Sequence, residues 1–322
     1  MKLSMSILAL TLALVVIGSG RGYSQEDVAK FPSKPITFIM PVPPGGTIEL
    51  GCRLLTKEAE KSLKQPIVMV NKPGSALTVG TAAVASAKPD GYTIGFSGGP
   101  PLFLTPLLEK VPYDPIKDIR TIIQIGAPSF GVYVKADAPF KTVKDLIAFA
   151  KQNPKKLTYG TTGVNSMGHL MMEQVAKREG VQITHIPFKG TPEVQTALLG
   201  GHVLFGSGDF SPSLVEAKQI RLVMMLREEP SVEYPGVPTL KELYGLPYPM
   251  YISIITQKAV PDAIVRRLEE EFARAMKEPT YINGMKELHL TVAYRSGKEI
   301  DAHVAQSYAY FANLLKEMGV TK

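Results

Sequence analysis

Residues 34–53, KPITFIMPVPPGGTIELGCR, are the stretch that decides the fold. The apolar run at residues 36–42 predicts a buried strand that ends at Pro43-Pro44-Gly45-Gly46, and a helical pattern begins near Thr47. Glycine lets the backbone approach a ligand closely, and the first N–H groups of a helix have no partner within it. The stretch therefore predicts either an anion-binding concavity or a tight strand-to-helix turn without a ligand.

The segments that follow this turn alternate between helical and strand patterns. Apolar residues recur at helical spacing from Leu50 to Leu63, and residues 66–70 and 92–96 have strand character. A helix rich in small residues, 77–87, lies between those two strands. Alternation at this spacing predicts a parallel sheet covered on both faces by helices.

A second strand, polar glycine loop and helix start begins at residue 157. The strand at residues 157–160 enters the loop TTGVNS, residues 161–166, and a helix follows through Ala176. Before it, strands are predicted at 121–125 and 131–135, and Thr142 with Asp145 forms a capping box for the helix 143–151. This order of strand, glycine loop and helix is the same as at the first turn, but the two sequences are not a repeat.

The rest of the chain continues the α/β pattern. A strand at residues 183–187 precedes a helix with Thr191 as predicted N-cap. Strands at 203–207 and 221–226 follow, and residues 248–256 are extended and apolar. Further capping boxes and amphipathic helices are predicted at Thr239 with Glu242 (ended by Gly245), at residues 261–276, and at Ser296 with Glu299.

This order predicts two α/β domains, of which the first is discontinuous. Residues 25–130 and 252–322 form domain 1, and residues 131–251 form domain 2. Two crossing segments, near 126–134 and 249–256, would act as a hinge, and such a fold closes around a ligand in the cleft.

The first residues predict export. Lys2 is followed by an apolar stretch too short to span a bilayer, and small residues precede a cleavage site, so residues 1–24 are predicted to be a signal peptide. The formal net charge of +7, or +5 without Lys2 and Arg21, is spread along the chain. We therefore expect no nucleic-acid partner and a surface that mildly attracts small anions. Cys52 is the only cysteine, so stability must come from packing.

Motifs for catalysis, metal or cofactor binding are missing from the sequence. It has no Gly-x-Ser-x-Gly elbow, and Gly45-Gly46 lacks the Gly-Lys-Ser/Thr of a phosphate-binding loop. The five histidines form no cluster with metal-ligand spacing. We expect His169 to be a packing or capping residue and His185 a satisfied strand histidine, and we expect no cofactor.

The motifs together resemble the periplasmic solute receptors of tripartite tricarboxylate transporters, also called Bug receptors. Their order and spacing match over essentially the whole mature chain, at residues 31–36 (FPSKPI), 41–46 (PVPPGG), 71–74 (NKPG), 87–93 (AKPDGYT), 113–118 (YDPIKD), 161–170 (TTGVNSMGHL), 187–191 (PFKGT), 199–201 (LGG) and 237–242 (VPTLKE). The resemblance implies a type II periplasmic-binding-protein fold, with two α/β domains joined by two crossing strands. It implies no catalysis, and a periplasmic monomer that delivers a small carboxylate to a two-subunit membrane permease.

Binding in this family runs mainly through backbone amides and waters at two facing loops. The residues predicted to bind the ligand are Pro44, Gly45, Gly46, Thr47, Ile48, Glu49, Ser97, Gly98, Thr161, Thr162, Asn165, Ser166, Lys189, Gly190, Thr191 and Asp209. A sensor that acts with a membrane signalling protein, or an enzyme on the same fold, are the alternative functions.

Three departures from the family pattern concern the ligand. Ile48 replaces the expected hydroxyl residue, Glu49 replaces Asp, and Tyr251 aligns with the family's hinge tryptophan. Glu49 could orient a ligand or water, or could be a favourable charge at a helix start, and Tyr251 could stack on a ligand or pack the hinge. With Ile48 and Glu49 in the first loop, we expect one anionic end of the ligand, bound by domain 2, and a less polar far end.

Overall fold

The structure, a computed structural model, describes residues 30–74 and 77–320. The predicted signal peptide, residues 1–24, lies outside the described residues. The strands in chain order are β1 Ile36–Met40, β2 Ile67–Asn71, β3 Thr93–Ser97, β4 Ile119–Ala127, β5 Phe130–Lys135, β6 Thr158–Thr161, β7 Thr184–Pro187, β8 Phe205–Asp209, β9 Ile220–Met225, β10 Ile252–Gln257 and β11 Thr291–Ser296.

Helices connect most of these strands. In chain order they are α1 Thr47–Leu63, α2 Thr78–Ala85, α3 Gly99–Phe103, α4 Thr105–Leu108, α5 Val143–Gln152, α6 Met167–Glu179, α7 Thr191–Leu199, α8 Pro212–Glu216, α9 Leu240–Tyr244, α10 Asp262–Ala275, α11 Pro279–Glu287 and α12 Gly297–Glu317. Within residues 30–74 and 77–320, none of these helices combines the length and apolar character that a membrane crossing requires.

The first sheet has the order β11-β4-β10-β3-β1-β2, and we call it and its helices lobe 1. Strand β1 pairs in parallel with β2 and β3, as the sequence predicts. Strands β10 and β11, which come from later in the chain, make the sheet mixed, because β10 runs antiparallel to β3 and β4, and β11 runs antiparallel to β4. The late return of the chain from lobe 2 brings these strands in from the opposite direction.

The second sheet has the order β7-β6-β8-β5-β9, and we call it and its helices lobe 2. Strand β6 pairs in parallel with β7 and β8, whereas β5 is antiparallel to both β8 and β9. Since the parallel strands β6, β7 and β8 end at one edge, the loops that follow Thr161, Pro187 and Asp209 are neighbours.

Two connections join the lobes. The first is the short step of residues 128–129 between β4 and β5, and the second is the segment 226–251, which contains α9. Polar contacts bind this second segment to lobe 1. The Glu228 carboxylate lies 3.0 Å from His303 Nε2 and 3.9 Å from Arg295, and Thr291 donates a hydrogen bond to Glu233. The domain boundaries at residues 130/131 and 251/252 stay a prediction.

Local capping signals were the most accurate predictions. The three capping boxes at Thr142, Thr239 and Ser296 are all formed, and Gly245 ends α9 in the left-handed conformation. The N-cap prediction at Thr191 was wrong by one residue, because Gly190 is the N-cap of α7 and has no side-chain cap. The predicted strand at 248–256 begins only at Ile252, and α11 and β11 were not predicted.

Glycines allow close approach where α6 packs on β8. A Cβ atom on Gly168 would lie 2.2 Å from the Ser207 carbonyl oxygen, so only glycine fits at this point. The Ser207 hydroxyl also donates to the Gly168 carbonyl at 3.1 Å. This contact fixes the start of α6 relative to the sheet, and with it the loop that precedes α6.

We expect Gly168→Ala to destabilise the fold by about 1–3 kcal/mol or more, because the added methyl group must push backbone away from backbone. Chemical denaturation would measure this change. Gly46→Ala is the matched control, since its Cβ has no neighbour nearer than 3.9 Å and φ is −74°. Equal stability of the two variants would contradict the assigned contact.

Candidate functional site

The loop between β1 and α1 presents backbone amides to solvent. Gly46 is the N-cap of α1 in an extended conformation, and no side chain caps the helix. Gly45 has φ of 84°, a left-handed conformation that favours glycine. Residues 43–47 are all exposed. The first N–H groups of this helix therefore have neither an intrahelical partner nor a side-chain cap, as an anion site requires.

Glu49, in the first turn of α1, turns back toward this loop. Its side chain is 1% exposed, accepts a hydrogen bond from the Gly45 N–H at 3.2 Å, and is paired with Arg53. Of the two roles considered from the sequence, these contacts match the structural one, because the carboxylate closes the turn. Next to it, burial and the charge of Glu49 raise the pKa of the Cys52 thiol.

Ser97 and Gly98, at the end of β3, are buried. Ser97 has no exposed surface, and its hydroxyl lies 3.2 Å from the Thr81 hydroxyl. A Cβ on Gly98 would lie 3.3 Å from Leu77. Neighbouring side chains of lobe 1 cover these two residues, and their contact with a ligand stays a prediction.

The loop 161–166 of lobe 2 is partly internal and partly open. Thr161 is buried, and its hydroxyl donates to the Gly163 carbonyl at 3.0 Å and lies 2.7 Å from His185 Nε2. Ser166 caps α6 by accepting from the His169 N–H. Thr162 is exposed, and Asn165 adopts φ of 61°. Thr161 and Ser166 thus hold the loop, and Thr162 presents a free face to solvent.

Two further loops of lobe 2 join this one at the same edge of the sheet. The Phe188 N–H donates to the Thr161 carbonyl at 2.9 Å, and the Thr191 hydroxyl donates to Asp209 at 3.3 Å. Lys189 is exposed, and its backbone N–H donates to Glu193. The predicted residues of lobe 2, from Thr161 to Asp209, therefore form one continuous edge.

A cavity of about 590 Å³ lies between the two lobes. From the predicted set it brings together Gly46, Thr47 and Ile48 of lobe 1 with Asp209 of lobe 2. The other described residues that line it are Val42, Pro128, Ser129, Phe130, Phe210, Ser211, Pro212, Ser213, Leu288, His289 and Leu290. None of the residues of the loops 161–166 and 189–191 is among the described residues that line the cavity. Thr191 is connected to the cavity wall by its hydrogen bond to Asp209.

Several residues that line the cavity were not predicted from the sequence. Phe130 and Phe210 flank the paired ends of β5 and β8, which a hinge prediction could have placed near the cleft. The segment 288–290 comes from the turn after α11, a helix that the sequence pattern did not reveal. These residues make the cavity wall mainly apolar.

Asp209 is the acidic group among the described lining residues, and none of those residues is Lys or Arg. Desolvation in the cleft raises the pKa of Asp209, although hydrogen bonds from Thr191 and from the Phe210 backbone oppose the shift. An anion in this cavity would be held by amide dipoles, and Asp209 would repel a second negative charge nearby.

Tyr251 packs inside the hinge. Its side chain is buried, and its hydroxyl lies 3.2 Å from His303 Nδ1. Of the two roles considered, these contacts match the packing role. Among residues 30–74 and 77–320, no group of three or more His, Cys, Asp or Glu side chains is arranged to hold a metal ion.

We expect Glu49→Leu to lower the free energy of unfolding by about 1–3 kcal/mol, because the Gly45 N–H and Arg53 lose their acceptor. Glu49→Gln keeps an oxygen for Gly45 and should cost less than half as much. Chemical denaturation is the measurement, with Glu287→Leu on an exposed position of α11 as the control. Wild-type stability of Glu49→Leu would contradict the loop-closing role.

Comparison with known proteins identifies the family. Residues 52–320 match the model of the tripartite tricarboxylate transporter family receptor, TctC. The chain is 34% identical over 313 residues to a Cupriavidus necator protein described as a UPF0065 protein in the gbd 5' region, covering 96% of this chain and 95% of that protein.

Solved structures agree with this match. The crystal structure of a TctC solute binding protein from Polaromonas has a TM-score of 0.80 and 27% identity, covering 89% of this chain and 99% of that one. The R. palustris protein Rpa4515, solved with adipate, has a TM-score of 0.72 and 25% identity over 90% of this chain and 99% of that one. The chain therefore belongs to the tripartite tricarboxylate transporter receptors, the TctC or Bug family, and has the type II fold of periplasmic solute-binding proteins.

Proposed function

We propose that this protein is an exported receptor that binds a small organic carboxylate between its lobes and delivers it to a two-subunit membrane permease. The observation that carries the proposal is the cavity of about 590 Å³ in which the uncapped start of α1 faces the end of β8. Membership of the receptor family supports the periplasmic location and the permease partner. The receptor acts as a monomer.

Backbone amides hold the carboxylate in this proposal. The starts of α1 and α7 have glycine N-caps without side-chain caps, and Ser166 caps α6. A negative charge near a helix start is stabilised by about 0.3–1 kcal/mol, more when partly buried. Thr162 and Asn165 add hydrogen-bonding groups at the lobe 2 edge. This design needs no Arg or Lys partner for the anion.

The remainder of the ligand is less polar. Ile48, Phe130, Phe210 and Leu290 line the cavity, and burying apolar surface there contributes about 25 cal/mol per Å². A second carboxylate about 4 Å from an ionised Asp209 would be opposed by about 1 kcal/mol in water and about 4 kcal/mol at an effective dielectric constant near 20. We therefore propose a carboxylate with one anionic end and an apolar body that carries a hydroxyl or amine near Asp209.

Binding closes the lobes. The two lobes move as separate bodies about the connections at 128–129 and 226–251. The cavity has lining residues from both lobes and from the first connection, so a ligand that touches all three favours the closed arrangement. The permease then recognises the closed, loaded receptor.

A thermal-shift screen over mono-, di- and tricarboxylates and aromatic acids tests the ligand class. We expect the largest stabilisation from monocarboxylates with apolar bodies, because ligand binding stabilises the folded receptor more as its affinity and concentration rise. Uptake of the best acid by cells that carry or lack the permease subunits then tests delivery. A preference for citrate-like acids, or permease-independent uptake, would contradict the proposal.

We expect Asp209→Asn to raise affinity for dicarboxylates over the matching monocarboxylates by about tenfold, because about 1.4 kcal/mol of repulsion is removed. Calorimetric titration of both acids measures the ratio. Asp137→Asn is the control, since Asp137 follows the far end of β5 and pairs with Lys135. An unchanged ratio in Asp209→Asn would remove Asp209 from ligand selection.

A further inference from the structure

Two stacked histidines lie directly behind the loop 161–166. His169 is on α6 and His185 is on β7, and their ring centroids are 4.1 Å apart with 29° between the planes. Each ring holds one loop residue. The Asn165 N–H donates to His169 Nδ1 at 3.1 Å, and the Thr161 hydroxyl lies 2.7 Å from His185 Nε2. The pair therefore contacts both ends of the loop.

The hydrogen bonds fix the protonation of His169. Because Nδ1 accepts from a backbone N–H, it must carry a lone pair, so the ring is neutral with its proton on Nε2. The Thr161 hydroxyl donates to the Gly163 carbonyl, which leaves its oxygen to accept from His185 Nε2–H. Protonation of His169 Nδ1 would set two donors against each other and break the Asn165 contact.

The titratable and charged groups around the pair come from three elements. Tyr159 on β6 packs against His185 and donates its hydroxyl to Glu173 at 2.8 Å. Glu173 is one turn from His169 on α6, and Lys155 precedes β6. Lys155, Glu173 and His185 line an outer groove of about 430 Å³, which gives protons a route to the pair.

Burial keeps both rings neutral near pH 7. It lowers the pKa of His185 to about 4, with the neighbouring His169 adding to the effect. Burial also lowers the pKa of His169, although Glu173 opposes this shift. Two imidazolium ions stacked at this distance would repel each other, so we expect the pair to take up one proton at most in mild acid.

We propose that His169 and His185 are positioning residues that hold the loop 161–166 in its ligand-ready form while neutral, and that a proton on His169 releases the loop. The effect on ligand rests on the proposed binding role of this loop. The contact with His169 holds the amide of Asn165, whose φ of 61° lies in the left-handed region that asparagine tolerates. Acid would therefore loosen the loop and weaken binding.

Three proteins compared by NMR test this role without any ligand. In the wild type, we expect the Asn165 amide to lose about tenfold in hydrogen-exchange protection between about pH 7.5 and the acidic pH at which NMR shows the His169 imidazole to be protonated. His169→Asn places a side-chain oxygen where Nδ1 lies and cannot be protonated, so protection should persist at both pH values. His169→Phe removes the acceptor and should lack protection at both.

The Asp145 amide is the internal control, because it donates to the Thr142 hydroxyl in the same lobe and reports folding without a histidine. Constant Asn165 protection while His169 titrates would overturn the proposal, and so would an Nδ1–H tautomer at neutral pH. Carboxylate affinity is titrated separately. Because the exchange experiment contains no ligand, a failure of the proposed receptor function can be distinguished from a failure of the proposed role of His169.

Discussion

Parallel strand pairing is the constraint on which this structure depends. Strand β1 pairs in parallel with β2 and β3 in lobe 1, and β6 pairs in parallel with β7 and β8 in lobe 2, so the chain between such strands must return over the sheet. The loops that follow these parallel strands then gather on one edge of each sheet. In lobe 2 this brings Thr161, Phe188 and Asp209 together although they span nearly fifty residues. The candidate site is a consequence of that edge in each lobe.

The contacts between the lobes are of two kinds. On the cleft side, the cavity wall is mainly apolar and contains Phe130 and Phe210. On the hinge side, the Glu228 carboxylate lies near His303, Lys241 and Arg295, and His303 Nδ1 lies near the buried Tyr251 hydroxyl. These neighbours hold the pKa of Glu228 below its usual value despite burial. The segment 226–251 is thus anchored to lobe 1 by charged groups, and these contacts lie away from the cavity.

Local signals in the sequence were sufficient to predict features that form within one helix turn. Thr142, Thr239 and Ser296 formed their capping boxes because both partners lie within three residues. Glu49 could have been assigned by the same reasoning, since Arg53 is four residues along the helix. Strand direction and register need non-local pairing, so the antiparallel direction of β10 and the edge strand β11 could not be predicted. The stack of His169 on His185 required the crossover between β6 and β7.

Protonation of Asp209 and protonation of His169 are expected to change anion binding in opposite directions. A proton on Asp209, whose pKa is raised, removes a negative charge that repels anionic ligands. A proton on His169 breaks the contact that holds Asn165. For a monocarboxylate bound as proposed, with its anionic end at the loop 161–166, we expect the loop effect to dominate. For a diacid, the relief of repulsion at Asp209 offsets part of the loss, so the second carboxylate decides how strongly acid weakens binding.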